Sequence, residues 1–296
     1  MLLTYDQAGG SKPIVLFHDG QHGTALIDAL ARHGTGLPAN VLPLAVNEDG
    51  LETIVAAFAY GAASVRFLLR AKPLHDIAGL SQTVAMAEAI LSGLGFSGRR
   101  VATIETDDPD SLGEALRGIE PAATVKPPAT FRTVGKRRDL LRFALSELHR
   151  LAPAPTDVIS LPEGAPVGTI SVNLDGCTLC LSCVSVCPTG ALLDDPERPA
   201  LKFVEDACVQ CGLCMSTCPG KVITLKPQID FTAATARTKI IKEEEPALCI
   251  RCSKSFGVKS TIDKIAAKLE GGTGCFRQTT SGSTPSGCAP TAASLR

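Results

Sequence analysis

Short apolar runs alternate with amphipathic stretches over residues 12–120. Ile14-Val15-Leu16-Phe17, Val41-Leu42-Pro43-Leu44-Ala45-Val46, Val65-Arg66-Phe67-Leu68-Leu69 and Val101-Ala102-Thr103-Ile104 predict four short, buried strands. Between them, Leu51, Ile54, Val55 and Phe58 repeat at i, i+3, i+4 and i+7, as do Leu112, Ala115, Leu116 and Ile119. Val84, Ala87, Leu91 and Leu94 trace another helical stripe, and Ser111 with Glu114 predicts a capping box at the start of the helix after the fourth strand. Strand alternating with helix implies a small parallel sheet faced by helices. Pro43 lacks a ladder donor, so its strand is expected at an edge or distorted.

Residues 136–150 predict a further helix with Leu140, Leu141, Ala144, Leu145 and Leu148 on one face. Its start, Lys136-Arg137-Arg138, opposes the helix dipole and reads as a solvated end. Pro153, Pro155, Pro162 and Pro166, with Gly164 and Gly168, then mark residues 151–168 as a semi-stiff linker after a domain at 1–150. Past it, Thr169–Val172, Ala191–Leu193, Leu201–Val204 and Val222–Leu225 read as strands bracketing two loops. Ser260–Leu269 predicts a helix with Ile262, Ile265, Ala266 and Leu269 inward and Gly271 as its stop. The Gly-, Ser-, Thr-, Ala- and Pro-dominated residues 272–296 read as a disordered tail.

Composition narrows the function classes. Lys and Arg number 29 against 30 Asp and Glu, so no basic field draws the chain to nucleic acid, and ten Phe, two Tyr and no Trp leave few stacking platforms. The longest apolar stretch, Ile54 to Leu69, contains Arg66 and falls short of the ~18–20 residues of a spanning helix. The first residues lack the basic start and apolar core of a signal peptide. A cytoplasmic protein with no membrane span is expected.

In the first half the chemistry is thin. His18-Asp19-Gly20-Gln21-His22-Gly23 follows the first strand, but neither G-x-G-x-x-G nor a Walker lysine is present, so a plain tight turn is the expectation. His18 and His22 lack a third metal ligand in the sequence. Asp107 and Asp108 follow a strand's C-terminal end, where such folds place ligands, but read as a loop that starts the next helix. This half is expected to be a docking or scaffold domain.

The second half is different. All twelve cysteines lie between Cys177 and Cys288. Cytosolic thiols stay reduced, so a dense group of them points to metal. Cys177, Cys180, Cys183 and Cys187-Pro188 form C-x2-C-x2-C-x3-C-P, and the run recurs 31 residues later as Cys208, Cys211, Cys214 and Cys218-Pro219. Three cysteines at such gaps wrap one face of an iron–sulfur cubane, and the fourth leaves toward the other cluster. Cys177, Cys180, Cys183 and Cys218 are therefore expected to hold one [4Fe–4S] cluster, and Cys208, Cys211, Cys214 and Cys187 a second. Zinc, which takes four ligands commonly as two C-x2-C pairs, and free structural thiols are the competing readings.

These motifs make residues 169–226 resemble bacterial-type 2[4Fe–4S] ferredoxins. With Arg99–Asp108, Lys136–Arg150 and Cys249-Ile250-Arg251-Cys252, the chain also looks like bacterial multi-cluster 4Fe–4S binding proteins associated with formate dehydrogenase and related molybdoenzyme systems. Members of that family are longer at the N-terminus and carry further ferredoxin motifs there. The first half faintly resembles the delta-subunit domain of methyl-viologen-reducing hydrogenases, whose cluster-binding cysteines have no counterpart in residues 1–176. The resemblance implies an α/β N-terminal domain followed by an α+β, ferredoxin-like 2[4Fe–4S] domain at 169–230, then a segment at 231–271 holding the last C-x2-C.

Cys249 and Cys252 supply two thiolates toward a third metal site, for which only Cys275 and Cys288 remain, leaving that site poorly provided with ligands. One choice of codons for residues 286–293 reads, in a shifted frame, Arg-Met-Cys-Ala-Asp-Cys-Arg, so the tail is a candidate out-of-frame end that the gene sequence would test. The expected function is electron transfer, as a ferredoxin-like carrier or as the iron–sulfur subunit of a formate dehydrogenase-type oxidoreductase, with a redox sensor as the less supported reading. No residue is expected to act as acid, base or nucleophile. Residues 169–230 carry seven acidic and four basic side chains, a net −3 that predicts a redox partner with a basic docking face.

Overall fold

The computed structural model describes residues 1–46, 50–74, 76–120, 122–132, 135–248, 255–263 and 265. Contacts divide the chain into two compact units, Met1–Ala165 with Ile229–Phe231, and Pro166–Gln228 with Thr232–Arg296.

The first unit is an α/β structure. After a short helix α1 (Leu2–Gln7) come β1 (Ile14–His18), α2 (His22–His33), β2 (Val41–Ala45), α3 (Leu51–Ala59), β3 (Ser64–Leu69), α4 (Ala78–Gly93), β4 (Val101–Glu105), α5 (Pro109–Arg117) and α6 (Arg137–Arg150). The four strands form one parallel sheet in the order β2-β1-β3-β4. Every β1 residue is buried, as is expected of a central parallel strand. Ile14 and Leu16 pack with Leu26 and Leu30 of α2, Leu68 of β3, and Leu112 and Leu116 of α5. In the same unit Phe17 stacks on Phe67, ring centroids 5.3 Å apart. Pro43 lies on β2, an edge strand, where a missing donor faces no partner.

Two local expectations are corrected. The helix after β4 is capped by Asp108, not Ser111. The Asp108 carboxylate accepts from the Ser111 amide at 2.8 Å and its hydroxyl at 2.6 Å, and Pro109 takes the first helical position. Aspartate before proline at this position satisfies an orphan amide one turn earlier than Ser111 could. Residues 151–165, read as a linker, are packed: β5 (Val158–Ser160) forms there, and Ile159, Leu161 and Ala165 are buried. Their apolar side chains outweigh the punctuation of the prolines.

The second unit contains β6 (Gly168–Val172), α7 (Ser182–Ser185), β7 (Leu192–Asp194), β8 (Ala200–Phe203), a 3-10 turn at Glu205–Ala207, α8 (Leu213–Thr217) and β9 (Ile223–Asp230) up to its sixth residue, Gln228. It continues through β10 (Lys239–Glu243), β11 (Pro246–Leu248) and β12 (Ser255–Val258). β6 pairs with β9 and β7 with β8, both antiparallel, and β10 adds to the free side of β8. The expected terminal helix begins at residue 259, but Ile265, expected inward, is 53% exposed. Ala266, Leu269 and Gly271 lie outside the described residues.

Among the described residues, no helix is long and apolar enough to cross a membrane.

Candidate metal centre

The two cysteine runs fold as a repeat. Cys177 donates its amide to the Leu174 carbonyl and Cys208 to the Glu205 carbonyl, 31 residues on. The Gly190 amide reaches the Cys187 carbonyl as the Lys221 amide reaches that of Cys218. Left-handed backbone recurs at the same offset: Leu179 (φ 51°) with Gln210 (φ 54°), and Leu181 (φ 57°) with Gly212 (φ 78°). One left-handed residue in each gap between the first three cysteines curls the loop around them, and only Gly212 adopts that backbone without steric cost.

The repeats bury their cysteines together. Cys183 and Cys208 are buried in a core with Leu179, Leu192, Leu201, Phe203 and Ile223, against which Cys177, Cys187, Cys214 and Cys218 pack. Cys180 and Cys211, again 31 residues apart, are exposed. All eight are free thiols.

Two separate cavities result. One is lined by Cys177, Cys180, Cys183 and Cys218, with Leu179, Leu181 and Ile223 among its walls. The other is lined by Cys208, Cys211, Cys214 and Cys187, with Ile170, Phe203 and Leu225. Each takes three cysteines from one run and the last from the other. Among the described residues, no three His, Cys, Asp or Glu side chains converge as on a single ion. Four thiols walling each of two cavities, three from one run and one from the other, fit the ligand plan of a polynuclear iron–sulfur group.

The thiols differ in acidity. Burial pushes Cys183 up to about 11, with the neighbouring Cys177 and Cys180 thiolates adding to it. Burial likewise raises Cys208 and Cys214. At Cys180 burial is outweighed by hydrogen bonds from Ser182 and Thr178, and at Cys187 by those from Leu192, Thr189 and Ala191, so both thiols lie below the ordinary value. Gln210 Nε2 also stands 3.4 Å from Cys208 Sγ.

Cys249, Cys252, Cys275 and Cys288 lie outside the described residues. In the first unit, His22 Nε2 pairs with Asp107 Oδ1 at 2.8 Å, and His18 Nδ1 lies 2.7 Å from the Asp19 carbonyl, so the two histidines are engaged separately. The turn between β1 and α2 holds its own anion. The Asp19 carboxylate accepts the Gly23 amide at 2.6 Å and so satisfies one of the first amides of α2. Sequence reasoning missed Lys242 on β10, whose Nζ donates to the Cys177 carbonyl at 2.6 Å. Only an antiparallel pairing across 40 residues of chain brings it there, and no local pattern signals that.

Residues 169–219 match the family described as 4Fe-4S dicluster domain. No curated protein matches the chain. The segment is a ferredoxin-type, 4Fe–4S-binding domain of the kind used for iron–sulfur electron transfer.

Proposed function

We propose that this chain relays electrons through two [4Fe–4S] clusters, one held by Cys177, Cys180, Cys183 and Cys218 and the other by Cys208, Cys211, Cys214 and Cys187. The observation that carries the reading is the exchange of fourth cysteines between two cavities. Each bound cluster supplies a one-electron couple. The residues do the rest. Cys183 and Cys208 anchor the ligand sets in the apolar core, while Leu192, Leu201, Phe203 and Ile223 keep water from the thiolates. Exposed Cys180 and Cys211 bring one edge of each site to the surface, where a partner would exchange electrons.

The chain acts as a carrier or as a relay subunit of a larger redox complex, not as a catalyst. We assign the first unit a docking role, consistent with a β1–α2 turn already occupied by Asp19. The partner would be a redox protein, with a formate dehydrogenase-type molybdoenzyme the candidate that the sequence resemblance offers. We place the chain in a reducing compartment such as the cytoplasm, where cysteines stay available to a cluster rather than pairing in disulfides. The net −3 of residues 169–230 calls for a basic docking face, so the association should weaken as salt rises; affinity unchanged between low and high ionic strength would argue against it.

Anaerobic reconstitution, iron and acid-labile sulfide counts, and EPR of the dithionite-reduced protein test the reading. About eight of each per chain, with the spectrum of two interacting clusters, is the expected result. About twelve would add a third cluster on Cys249, Cys252, Cys275 and Cys288. Bound zinc with little iron would overturn the assignment.

A further inference from the structure

The segment matched as a dicluster domain ends at residue 219, yet the loop bearing Cys177 is held by residues well beyond it. Lys242 Nζ donates to the Leu174 carbonyl at 3.0 Å and the Cys177 carbonyl at 2.6 Å. Its side chain is only 15% exposed, and the Glu244 carboxylate pairs with it at 2.6 Å. Thr261 adds a hydroxyl donor to the Thr178 carbonyl. The duplicated loop is met differently. The residue 31 positions after Leu174 is Glu205, whose buried carboxylate accepts from Gln228 at 2.9 Å and from Lys239 at 3.1 Å. There Lys239 meets a carboxylate of the loop itself; at the first loop Lys242, paired with Glu244, also meets the carbonyl of a cysteine.

We propose that Lys242 is a positioning residue that sets the reduction potential of the site built from Cys177, Cys180, Cys183 and Cys218, making it the more easily reduced of the two. The inference rests on the two-cluster reading above. Reduction adds one negative charge to a site, and a fixed cation at the ligand's own carbonyl favours that state. Glu244, 2.6 Å from the ammonium, offsets part of this charge, but it is the ammonium that contacts the two carbonyls. Gln210 offers the other site a neutral donor at 3.4 Å, and a neutral donor contributes less than a full charge.

An EPR-monitored redox titration of the reconstituted full chain is the test, with iron and sulfide counted on every sample. Wild-type protein lacking two clusters would sink the underlying reading before any variant is compared. Given two clusters, Lys242→Met lowers the higher of the two midpoint potentials by at least a ten-fold change in electron affinity, about 59 mV for a one-electron couple, and leaves the lower one in place. Lys242→Arg retains most of the wild-type value. Both potentials moving together, or neither moving at full iron content, overturns the proposal. Should Lys242→Met lose iron from one site, Glu244→Gln decides: it keeps the lysine and its carbonyl bonds but removes the countercharge. The higher potential must then rise, and an unchanged value overturns the assignment.

Discussion

At the scale of single residues, the proposed cluster sites depend on backbone that most side chains resist. Leu181 and Gly212 occupy the same left-handed turn in the two repeats. A Cβ on Gly212 would meet only Leu225 Cδ1, at an ordinary 3.8 Å, so Gly212→Ala carries a conformational cost without a clash. We expect a penalty of about 1–2 kcal/mol, read as faster iron loss to a chelator. Release at the wild-type rate would show that the loop relaxes around the methyl group. Asp108 illustrates charge at the same scale. Hydrogen bonds from the side chain and then the backbone of Ser111 hold its carboxyl below the ordinary value. A depressed carboxyl contributes stability above its unfolded-state value, which is lost as pH falls through the folded one. Asparagine caps without titrating. In the full chain, amide protection of α5 should therefore fall as pH drops below the ordinary carboxylate range in the wild type, and less in Asp108→Asn. Equal losses by hydrogen exchange would remove the carboxylate from the explanation.

Among the elements, legibility followed burial. β1, β3 and the stripes of α3 and α5 announced themselves because one continuous apolar face must be covered, and the sequence repeats at the spacing of that face. Leu30 of α2 is fully buried against α5 and β1. Leu30→Ala should cost about 2–5 kcal/mol in chemical denaturation of the first unit, and a cost well under 1 would mean that Leu26 and Leu116 collapse into the space. β10 was illegible for the opposite reason. Lys239-Ile240-Ile241-Lys242-Glu243 follows neither a period of two nor of 3.6, Ile240 is 58% exposed, and its place is decided by the unpaired side of β8. Proline and glycine misled at 151–165, where they punctuate a packed segment.

For the molecule as a whole, the two units draw stability from different sources. Leucine, isoleucine and phenylalanine fill the first, whereas cysteines stand inside the core of the second. Stripping iron should leave four thiols around each of two cavities in that core, with nothing to join them. Apo protein is therefore expected to lose protection over residues 169–228 in hydrogen exchange and keep it over β1 to α5. Uniform protection in the apo form would mean that the second unit's fold does not need its metal.

Chain order by itself marked out the eight cysteines proposed as ligands. Cysteine spacing within each run and its recurrence after 31 residues are covalent facts, and the short gaps between the first three cysteines of a run bring those three to one cavity. The same holds for the parallel α/β layering, since buried strands and amphipathic helices alternate in order. Tertiary structure decided what surrounds those ligands: which sulfurs are exposed, that Asp19 occupies the β1–α2 turn, and that Lys242 stands at the Cys177 carbonyl. A charge 65 residues away acts through space, and its effect depends on a distance that only the packed chain sets.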